Sequence, residues 1–304
     1  MKLKTRFDVL GLGCAAVDDI LYVPDYPPPD GKVEVRARER HCGGLCATAL
    51  VAAARLGAKC AFAGTLGDDE GSQFALDTLR REGVDVRHFV RHAEAGPVRS
   101  VIVVDEARRT RNIFFHVPPR LGAHARLPSR ELILRSGVLL VDRFGIPGMI
   151  RAARMARGAG IPVVGDFESF GYPRFSELLA LVDHLIVGES FGRQFTGATT
   201  PAAAAKKLWR KDRSAVVITC GARGCWHFDG SASAARHLPA FRVKAVDTTG
   251  CGDTFHGAYA AALARGLPPV ERLRFASAAS ALKATRHGGQ AGIPGRREVE
   301  RVLA

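Results

Sequence analysis

The runs VLLVD (138–142), PVVGD (162–166), HLIVG (184–188) and AVVIT (215–219) decide the fold class. Each is short, uninterrupted and rich in Val, Ile and Leu, and helical patterns such as MIRAARMARG (149–158) and SELLALV (176–182) separate them. Strands of this kind are buried on both faces, as in parallel sheets flanked by helices. The alternation therefore predicts an α/β fold, doubly wound, with a mostly parallel sheet and helices on both of its faces.

The first third of the chain departs from this alternation in two places. Between the core strand FDVLGLG (7–13) and the helical runs LCATALVAAARLG (45–57) and GSQFALDTLRREG (71–83), the chain carries four prolines and then the alternating VEVRARER (33–40). The run VRSVIVVDEARRTRNIFF (98–115) is typical of a β-hairpin. We expect one domain over 1–304, with a small β-sheet formed by about 17–40 and 98–117.

Composition narrows the class of protein. The chain has 304 residues, of which 47% are hydrophobic and 24% charged, which is typical of a folded protein. No apolar run approaches the ~20 residues that span a bilayer, and no signal peptide is recognised, so we expect a cytoplasmic protein without a membrane partner. The net charge is +14, but the basic residues are dispersed and aromatic residues are few, so we expect no nucleic-acid partner.

Two further sites are considered and set aside. The seven cysteines form no CxxC pair, and Cys42 and Cys46 lack partners that would complete a zinc site, so we expect reduced, packed thiols. The run GLGCAA (11–16) fits a dinucleotide-binding glycine pattern. That pattern must open a helix, however, and the prolines that follow it forbid one.

The stretch DTTGCGDTFHG (247–257) precedes the helical run YAAALARG and combines glycines suited to binding phosphate with a carboxylate. Backbone N–H groups of Gly250, Cys251 and Gly252 would be unpaired at the positive end of a helix starting near Asp253, which favours an anion hole for a phosphoryl group. A carboxylate at the same place would repel phosphate. Asp253 is therefore interpreted as a general base that accepts the proton of an attacking hydroxyl.

DTTGCGD resembles the DTxGAGD signature of the ribokinase (PfkB) carbohydrate kinases, with Cys251 in place of the usual alanine. Further matches follow in the family's order: Asp18 in the entry strand, the pair Gly43 and Gly44, the turn VITCGARGC (217–225) and the closing TRHGGQAGIP (285–294). The resemblance covers nearly the whole chain. It implies a ribokinase-like fold in which the two β excursions form a lid that covers the sugar and often supports a homodimer.

The resemblance also implies roles for individual residues. Asp253 would be the catalytic base and Gly250, Cys251 and Gly252 the anion hole, while Asp18, Gly43 and Gly44 would hold the sugar. Thr219, Gly221 and Gly224 would border the phosphates and ribose of ATP. Ala279 and Lys283 would line the adenine pocket. Many members bind a monovalent cation such as K⁺ beside the anion hole, and the matching positions here are Asp247, Thr249 and Gly289.

The chain departs from the family pattern at two positions. Thr48 stands where the first signature usually has an asparagine that binds the sugar. The NxxE motif that organises the water shell of Mg²⁺ is absent, and Glu189 is the only nearby acid. It could reach the metal through water.

Within the family, the chain looks most like the branch that contains sulfofructose kinase. Lys32 and Arg143 match the cations that hold the sulfonate in that branch, and His116 stands where the branch has an asparagine. The substrate predicted from this resemblance is a ketohexose type, such as 6-deoxy-6-sulfofructose. Neutral ketohexoses, 2-keto-3-deoxy sugar acids and nucleosides stay open as alternatives, because Lys32 could be a solvated lid residue and Arg143 an ion-pair partner of Asp166 or Glu168.

These observations predict an ATP-dependent sugar kinase that uses Mg²⁺ and phosphorylates a sugar hydroxyl. A sensor that binds sugar or nucleotide without catalysis is the alternative from another class. The missing NxxE motif would fit a sensor, whereas an intact Asp253 would not, since a sensor has no need of a base.

Overall fold

The computed structural model describes residues 6–108 and 110–304. Residues 1–5, part of the predicted domain, and residue 109, part of the predicted hairpin, lie outside the described residues. The strands, in chain order, are β1 (Phe7–Leu12), β2 (Ala16–Val23), β3 (Ala37–Gly43), β4 (Cys60–Phe62), β5 (Gly64–Leu66), β6 (Val90–Arg91), β7 (Val98–Asp105), β8 (Thr110–His116), β9 (Gly122–Ala123), β10 (Ser136–Val141), β11 (Val163–Asp166), β12 (His184–Gly188), β13 (Ala215–Thr219), β14 (Cys225–Phe228) and β15 (Arg236–Leu238).

The helices alternate with these strands as the apolar patterns predict. They are α1 (Leu45–Arg55), α2 (Glu70–Arg81), α3 (Arg130–Leu134), α4 (Ile146–Gly158), α5 (Phe175–Ala180), α6 (Glu189–Thr196), α7 (Pro201–Leu208), α8 (Cys251–Ala264), α9 (Pro269–Ala284) and α10 (Arg296–Leu303). Glycines with positive φ follow α1 and α2 at Gly57 and Gly83, which confirms the predicted ends of these two helices. Of the helices in the described residues, none is long and apolar enough to cross a lipid bilayer.

Eight of the described strands form the central sheet, in the order β15-β14-β13-β12-β11-β10-β1-β4. The strands from β4 to β13 in this order run parallel, and β14 and β15 are antiparallel additions at one edge. Alternate residues of β10 enter different cores: Val138 and Leu140 pack on the side of α1 and α8, and Leu139 and Val141 on the side of α4 and α5. The predicted doubly wound, mostly parallel architecture is confirmed.

A second sheet, which we call the lid sheet, consists of β3, β2, β7 and β8 in that order. It uses the two segments that the sequence predicts, but β3 begins only at Ala37, four residues later than the alternating pattern of 33–40. The last backbone hydrogen bond before it runs from Arg36 N to Tyr22 O. The part of the loop at 24–29 carries four prolines, which cannot donate to a ladder.

Register divides the lid sheet into two faces. Asp18 pairs with Ser100, and Ser100 pairs with Phe115, so these three residues lie on one face. His116 pairs with Arg99 and therefore lies on the opposite face. We call the first the Asp18 face.

Candidate active site

The N-terminus of α8 lies at the centre of the candidate site. Gly250 caps this helix in the left-handed conformation with φ of 75°, and a Cβ at this position would lie 3.2 Å from Gly289 O. The helix begins at Cys251, two residues before the predicted start, so Gly252 and Asp253 belong to its first turn. First-turn N–H groups have no acceptor within the helix, but Cys251 N donates a hydrogen bond to Thr248 O at 3.2 Å and is not unpaired as predicted. Gly252 is exposed, so its N–H can reach an anion.

Asp253 stands in a group of carboxylates. Burial raises the pKa of its carboxyl well above the usual range, and the charges of Asp166 and Glu168 raise it further. The strand β11 ends at Asp166 and Glu168 follows it, whereas Asp142 follows β10. Because β10 and β11 are parallel, these acids meet at the carboxyl edge of the sheet, where α/β proteins bind their ligands.

Asp142 holds the turn between β1 and β2. Its Oδ2 accepts a hydrogen bond from Cys14 N at 2.7 Å, and its Oδ1 accepts one from Phe144 N at 2.8 Å. Burial raises its pKa to about 6, against the effect of these two hydrogen bonds. Asp142 thus fixes the position of the chain just before Asp18.

His256, one turn below Gly252 on α8, is buried beside Asp166. Its Nδ1 lies 2.8 Å from Gly252 O and 3.3 Å from Asp166 Oδ2, and its Nε2 lies 2.9 Å from Ile186 O. Burial lowers the pKa of His256, although the two carbonyl contacts act to raise it. A neutral imidazole donates through only one nitrogen. While His256 is neutral, only one of its two carbonyl contacts can therefore be a hydrogen bond, and the ring lies against Asp166, whose pKa is raised by burial and by the charge of Glu168.

The predicted sugar residues come together where the lid sheet meets α1. A Cβ on Gly43 would lie 2.8 Å from Asp18 Oδ2, so this carboxylate lies directly over the Gly43 backbone. Gly44 caps α1 with φ of 93°, and a Cβ there would lie 2.7 Å from the backbone of Ala15. Burial raises the pKa of Asp18, while a hydrogen bond from Ser100 lowers it.

Thr48 is not part of this surface. Its side chain is buried, and its hydroxyl accepts a hydrogen bond from Gln290 Nε2 at 3.2 Å. The position that usually carries a sugar-binding asparagine is thus occupied by a packed hydroxyl with an internal partner. Thr48 is therefore not part of the proposed sugar site.

The three polar residues that suggested a sulfonate have different surroundings. Arg143 is half-buried after β10, with its guanidinium carbon 4.1 Å from the ring centre of Phe144 and its Nη1 2.6 Å from Tyr172 Oη. Lys32 is exposed on the loop 24–36. His116 is exposed at the end of β8, on the face of the lid sheet opposite Asp18, because of the strand register. Phe115, which the sequence analysis did not select, shares the face of Asp18 instead.

The predicted nucleotide turn follows β13. Thr219 ends that strand, and a 3₁₀ turn over Gly221–Arg223 leads to Gly224, whose φ is 88°. A Cβ on Gly224 would lie 2.1 Å from Leu238 O, so the turn requires glycine there. Glu189 begins α6 at the neighbouring strand end and pairs with Arg223 of the turn.

Ala279 and Lys283 have no exposed surface in the structure. Ala279 packs in the core, and Lys283 directs its Nζ toward Asp247 O, 2.8 Å away, and not toward the turn after β13. Because neither side chain has exposed surface that adenine could contact, Ala279 and Lys283 are not part of the proposed nucleotide site. Ser277, Ser280 and Ala281 of the same helix are half-buried.

Asp247, Thr249 and Gly289, where the resemblance implies a monovalent cation, do lie together. Asp247 Oδ1 accepts a hydrogen bond from Thr249 N at 2.8 Å, and its Oδ2 accepts one from Gly288 N at 2.9 Å. Burial acts to raise the pKa of Asp247, but these hydrogen bonds and the charge of Lys283 outweigh it and lower the pKa. The Asp247 carboxylate therefore has both oxygens engaged.

Asp142, Asp166, Glu168 and His256 are site residues that the sequence analysis did not assign to the site. Asp142 and Asp166 could have been found from their positions, because each follows a predicted buried strand next to a recognised site residue. His256 stands in the quoted stretch 247–257. Its partner Asp166 is distant in sequence, and no local pattern joins the two.

Comparisons with known proteins agree with this geometry. The profile of one family, described as pfkB family carbohydrate kinase, matches residues 7–296. The chain is 29% identical to a ribokinase of Haemophilus influenzae over 304 residues, which cover 96% of this chain and 97% of the relative. It is 26% identical to a 5-dehydro-2-deoxygluconokinase of Shouchella clausii, over 98% of this chain and 96% of the relative.

Among solved structures, the chain is similar to that of Arabidopsis thaliana ribokinase complexed with ribose and ATP. The TM-score is 0.87 at 24% identity, with 98% of each chain covered, so this likeness concerns the fold. The relatives compared here are named for ribose and for a deoxygluconate. A closer likeness to the sulfofructose branch is not confirmed by them.

Proposed function

This chain belongs to the pfkB family of carbohydrate kinases, and on that premise we propose that Asp253 is the general base and the first turn of α8 the phosphate-binding element. The sugar hydroxyl oxygen would form a bond to the γ-phosphorus of ATP as the bond to the bridging oxygen of ADP breaks. The hydroxyl proton would pass to the Asp253 carboxylate. Family membership sets aside a sensor without catalysis.

The group of carboxylates supports a need for a divalent cation. Asp253 has Asp166, Glu168 and Asp142 as negative neighbours, so ATP phosphates entering this edge would meet repulsion. Glu168 is exposed and fits a role in holding the water shell of Mg²⁺, which prefers oxygen ligands and keeps several waters. When bound, Mg²⁺ would neutralise the phosphate charge. Glu189 is less suited to that role, because it already pairs with Arg223.

ATP is proposed to bind along the turn after β13. Gly221 is exposed and leaves the backbone of the turn open to phosphates, with Thr219 beside it, whereas the buried Gly224 lets the turn pack against the backbone at the end of β15. The monovalent cation that the resemblance implies is not part of the proposed reaction, because the Asp247 carboxylate already has partners on both oxygens.

The proposed acceptor is a small sugar with an anionic group. Arg143 is the observation that carries this step: it lies at the carboxyl edge, its Nε is buried without a hydrogen-bond partner among the described residues, and its charge acts on Asp166. Its ring contacts with Phe144 and Tyr172 fix the guanidinium. A fixed guanidinium is suited to a sulfonate or carboxylate. A 6-sulfo or keto-deoxy acid sugar therefore fits better than neutral ribose.

A panel of sugars tests this proposal. Coupled ADP release would be measured with 6-deoxy-6-sulfofructose, ketodeoxygluconate, ribose, fructose and adenosine. We expect the highest kcat/KM for an anionic sugar, and Asp253→Asn should lower kcat by at least about 100-fold while nucleotide binding persists. Near-normal turnover in Asp253→Asn would contradict its role as base.

Arg143→Gln tests the substrate class. The lost charged hydrogen bonds should reduce kcat/KM for the anionic sugar by about 10- to 100-fold and for neutral sugars by less than about threefold. Arg154→Gln is the matched control, because Arg154 is an exposed arginine that pairs with Glu177 on the surface. Equal losses for neutral and anionic sugars would overturn the anionic assignment.

A second copy of the chain is the proposed partner of the lid sheet. Ile20, Ile102 and Ile113 pair across three neighbouring strands and form an apolar row on the Asp18 face. On the opposite face, Asp19 and Arg40 form a salt bridge. An apolar row next to a sugar site favours burial against another lid.

A further inference from the structure

Lys283 is a fully buried lysine whose charge lies inside the loop that leads to α8. Its Nζ donates a hydrogen bond to Asp247 O at 2.8 Å and contacts Arg286 O at 3.3 Å, and Asp247 Oδ2 lies 3.6 Å away. The ammonium group has three hydrogens; two of the three oxygens accept hydrogen bonds from it, and the third forms an ion pair with it. This is a saturated environment for a cation in the protein interior.

Two of these three oxygens belong to Asp247, which is one of the residues at which the family resemblance implies a monovalent cation. Asp247 supplies both a carboxylate and a carbonyl oxygen, and Arg286 lies between Lys283 and Gly289 in the chain. A free ion would share the Asp247 carboxylate with Thr249 N, Gly288 N and the ammonium of Lys283. Two cations at one carboxylate repel each other in a buried site.

Lys283 also connects the parts that form the phosphate loop. It extends from the last turn of α9 to Asp247, three residues before the Gly250 cap. On the same helix, Ser280 Oγ donates a hydrogen bond to Cys251 O at 2.9 Å. The charge of Lys283 acts to lower the pKa of the Cys251 thiol, so its electrostatic effect reaches the first turn of α8.

We propose that the ammonium group of Lys283 is a built-in substitute for the monovalent cation, so that this kinase needs no K⁺. The inference rests on the proposed function, since it concerns the same phosphate loop. Lys283 is a positioning residue in this view: it holds the Asp247 loop and supplies its positive charge, without contacting the substrate.

The first test uses the unaltered protein. Kinase rate and melting temperature would be measured in K⁺, Na⁺ and choline chloride at constant ionic strength. We expect less than a twofold difference in rate and no melting shift that is specific to K⁺. A rate at least tenfold higher in K⁺ than in choline would overturn the proposal.

The second test removes the built-in charge. Lys283→Ala should have a lower melting temperature and rate in choline, and K⁺ should restore part of both, because the vacated oxygens can then bind an ion. Lys283→Met keeps the bulk of the side chain and should show the loss with less restoration. Lys206→Ala, at an exposed position of α7, is the control and should respond like the unaltered protein. A folded Lys283→Ala protein that ignores K⁺ would contradict the substitution of one cation for the other.

Failure of the proposed function can be separated from failure of this inference. Melting temperature requires no sugar, so the response of Lys283→Ala to K⁺ can be read even if none of the sugars in the panel is phosphorylated. If Lys283→Ala does not fold, the inference is tested by the salt series on the unaltered protein and by the Lys283→Met variant.

Discussion

At the scale of single residues, Asp253 works in a setting that opposes its ionisation. Burial and the nearby Asp166 both raise its pKa. A base whose pKa is raised toward neutral pH accepts a proton more readily than an ordinary aspartate does. If Asp253 is the base, as proposed, the carboxylates around it would raise the pH at which it becomes available.

The acid side of the pH profile tests this dependence. In the proposed mechanism the deprotonated form of Asp253 is the base, so kcat/KM should fall as the pH decreases through the raised pKa, above the value near 4 of an ordinary aspartate. Asp166→Asn removes a negative neighbour and should move this midpoint to lower pH. Asp212→Asn, on the surface, should leave it in place. A midpoint that stays fixed or rises in Asp166→Asn would argue against the electrostatic role of Asp166.

The sequence predicts those site residues whose chemistry is local. Asp253, Gly250 and Gly252 follow from one stretch, because a helix start and its N–H groups depend on neighbours in the chain. Lys283 does not follow, because a lysine in a helical run is normally exposed, and only the tertiary position of Asp247 explains why it is buried. His116 depends on strand register, which the alternating pattern alone does not fix.

At the scale of elements, α1 and α8 are in unusually close contact. A Cβ on Gly257 would lie 2.0 Å from Ala49 O, so the two helices approach backbone to backbone at this point. Gly257 lies one turn after Asp253, and Ala49 lies one turn after Leu45 at the start of α1. The contact thus brings the proposed phosphate-binding end of α8 beside the proposed sugar-binding end of α1.

Gly257→Ala tests this contact. The added methyl group must push the helices apart, which should lower the free energy of unfolding by about 1 to 3 kcal/mol and reduce kcat as well. Gly158→Ala is the control, because Gly158 also belongs to a helix but a Cβ there meets nothing within 4 Å. Chemical denaturation gives the free energy of unfolding of both variants, and the kinase assay gives their kcat. A Gly257→Ala protein as stable as Gly158→Ala would show that the contact is not tight.

At the scale of the whole molecule, the three most exposed large apolar side chains among the described residues, Ile113, Phe114 and Phe115, all lie on β8 of the lid sheet. Ile113 is 49% exposed and Phe114 is 56% exposed, and they point to opposite faces of β8. The proposed dimer uses only the face that also carries Asp18. The oligomeric state can therefore be tested one face at a time.

Sedimentation equilibrium at micromolar protein concentration should give a dimer. Ile113→Glu places a charge in the apolar row and should shift the protein to monomers, because a buried unpaired charge is costly. Phe114→Glu, one residue along the strand and on the other face, should remain dimeric. Dissociation by Phe114→Glu alone would place the interface on the opposite face.

The overall architecture was predictable because its signals are long and repeated. Buried runs separated by helical periods determine a parallel sheet without knowledge of any contact, and VLLVD (138–142) and HLIVG (184–188) are both strands of it. The start of β3 was not predictable from alternation. The alternating run begins at residue 33, but its first four residues belong to a loop and only Ala37 starts the strand. Pairing between distant segments decides such boundaries.

The thiol at Cys251 has a consequence for the oxidation chemistry of the protein. Burial raises the pKa of this thiol, although Lys283 acts to lower it, so the sulfur stays protonated near neutral pH. A protonated thiol is a poor nucleophile toward peroxides and alkylating reagents. Cys14 and Cys46, which are buried deeper, have pKa values raised by the same cause. We therefore expect Cys251, in the proposed phosphate loop, to react slowly with such reagents.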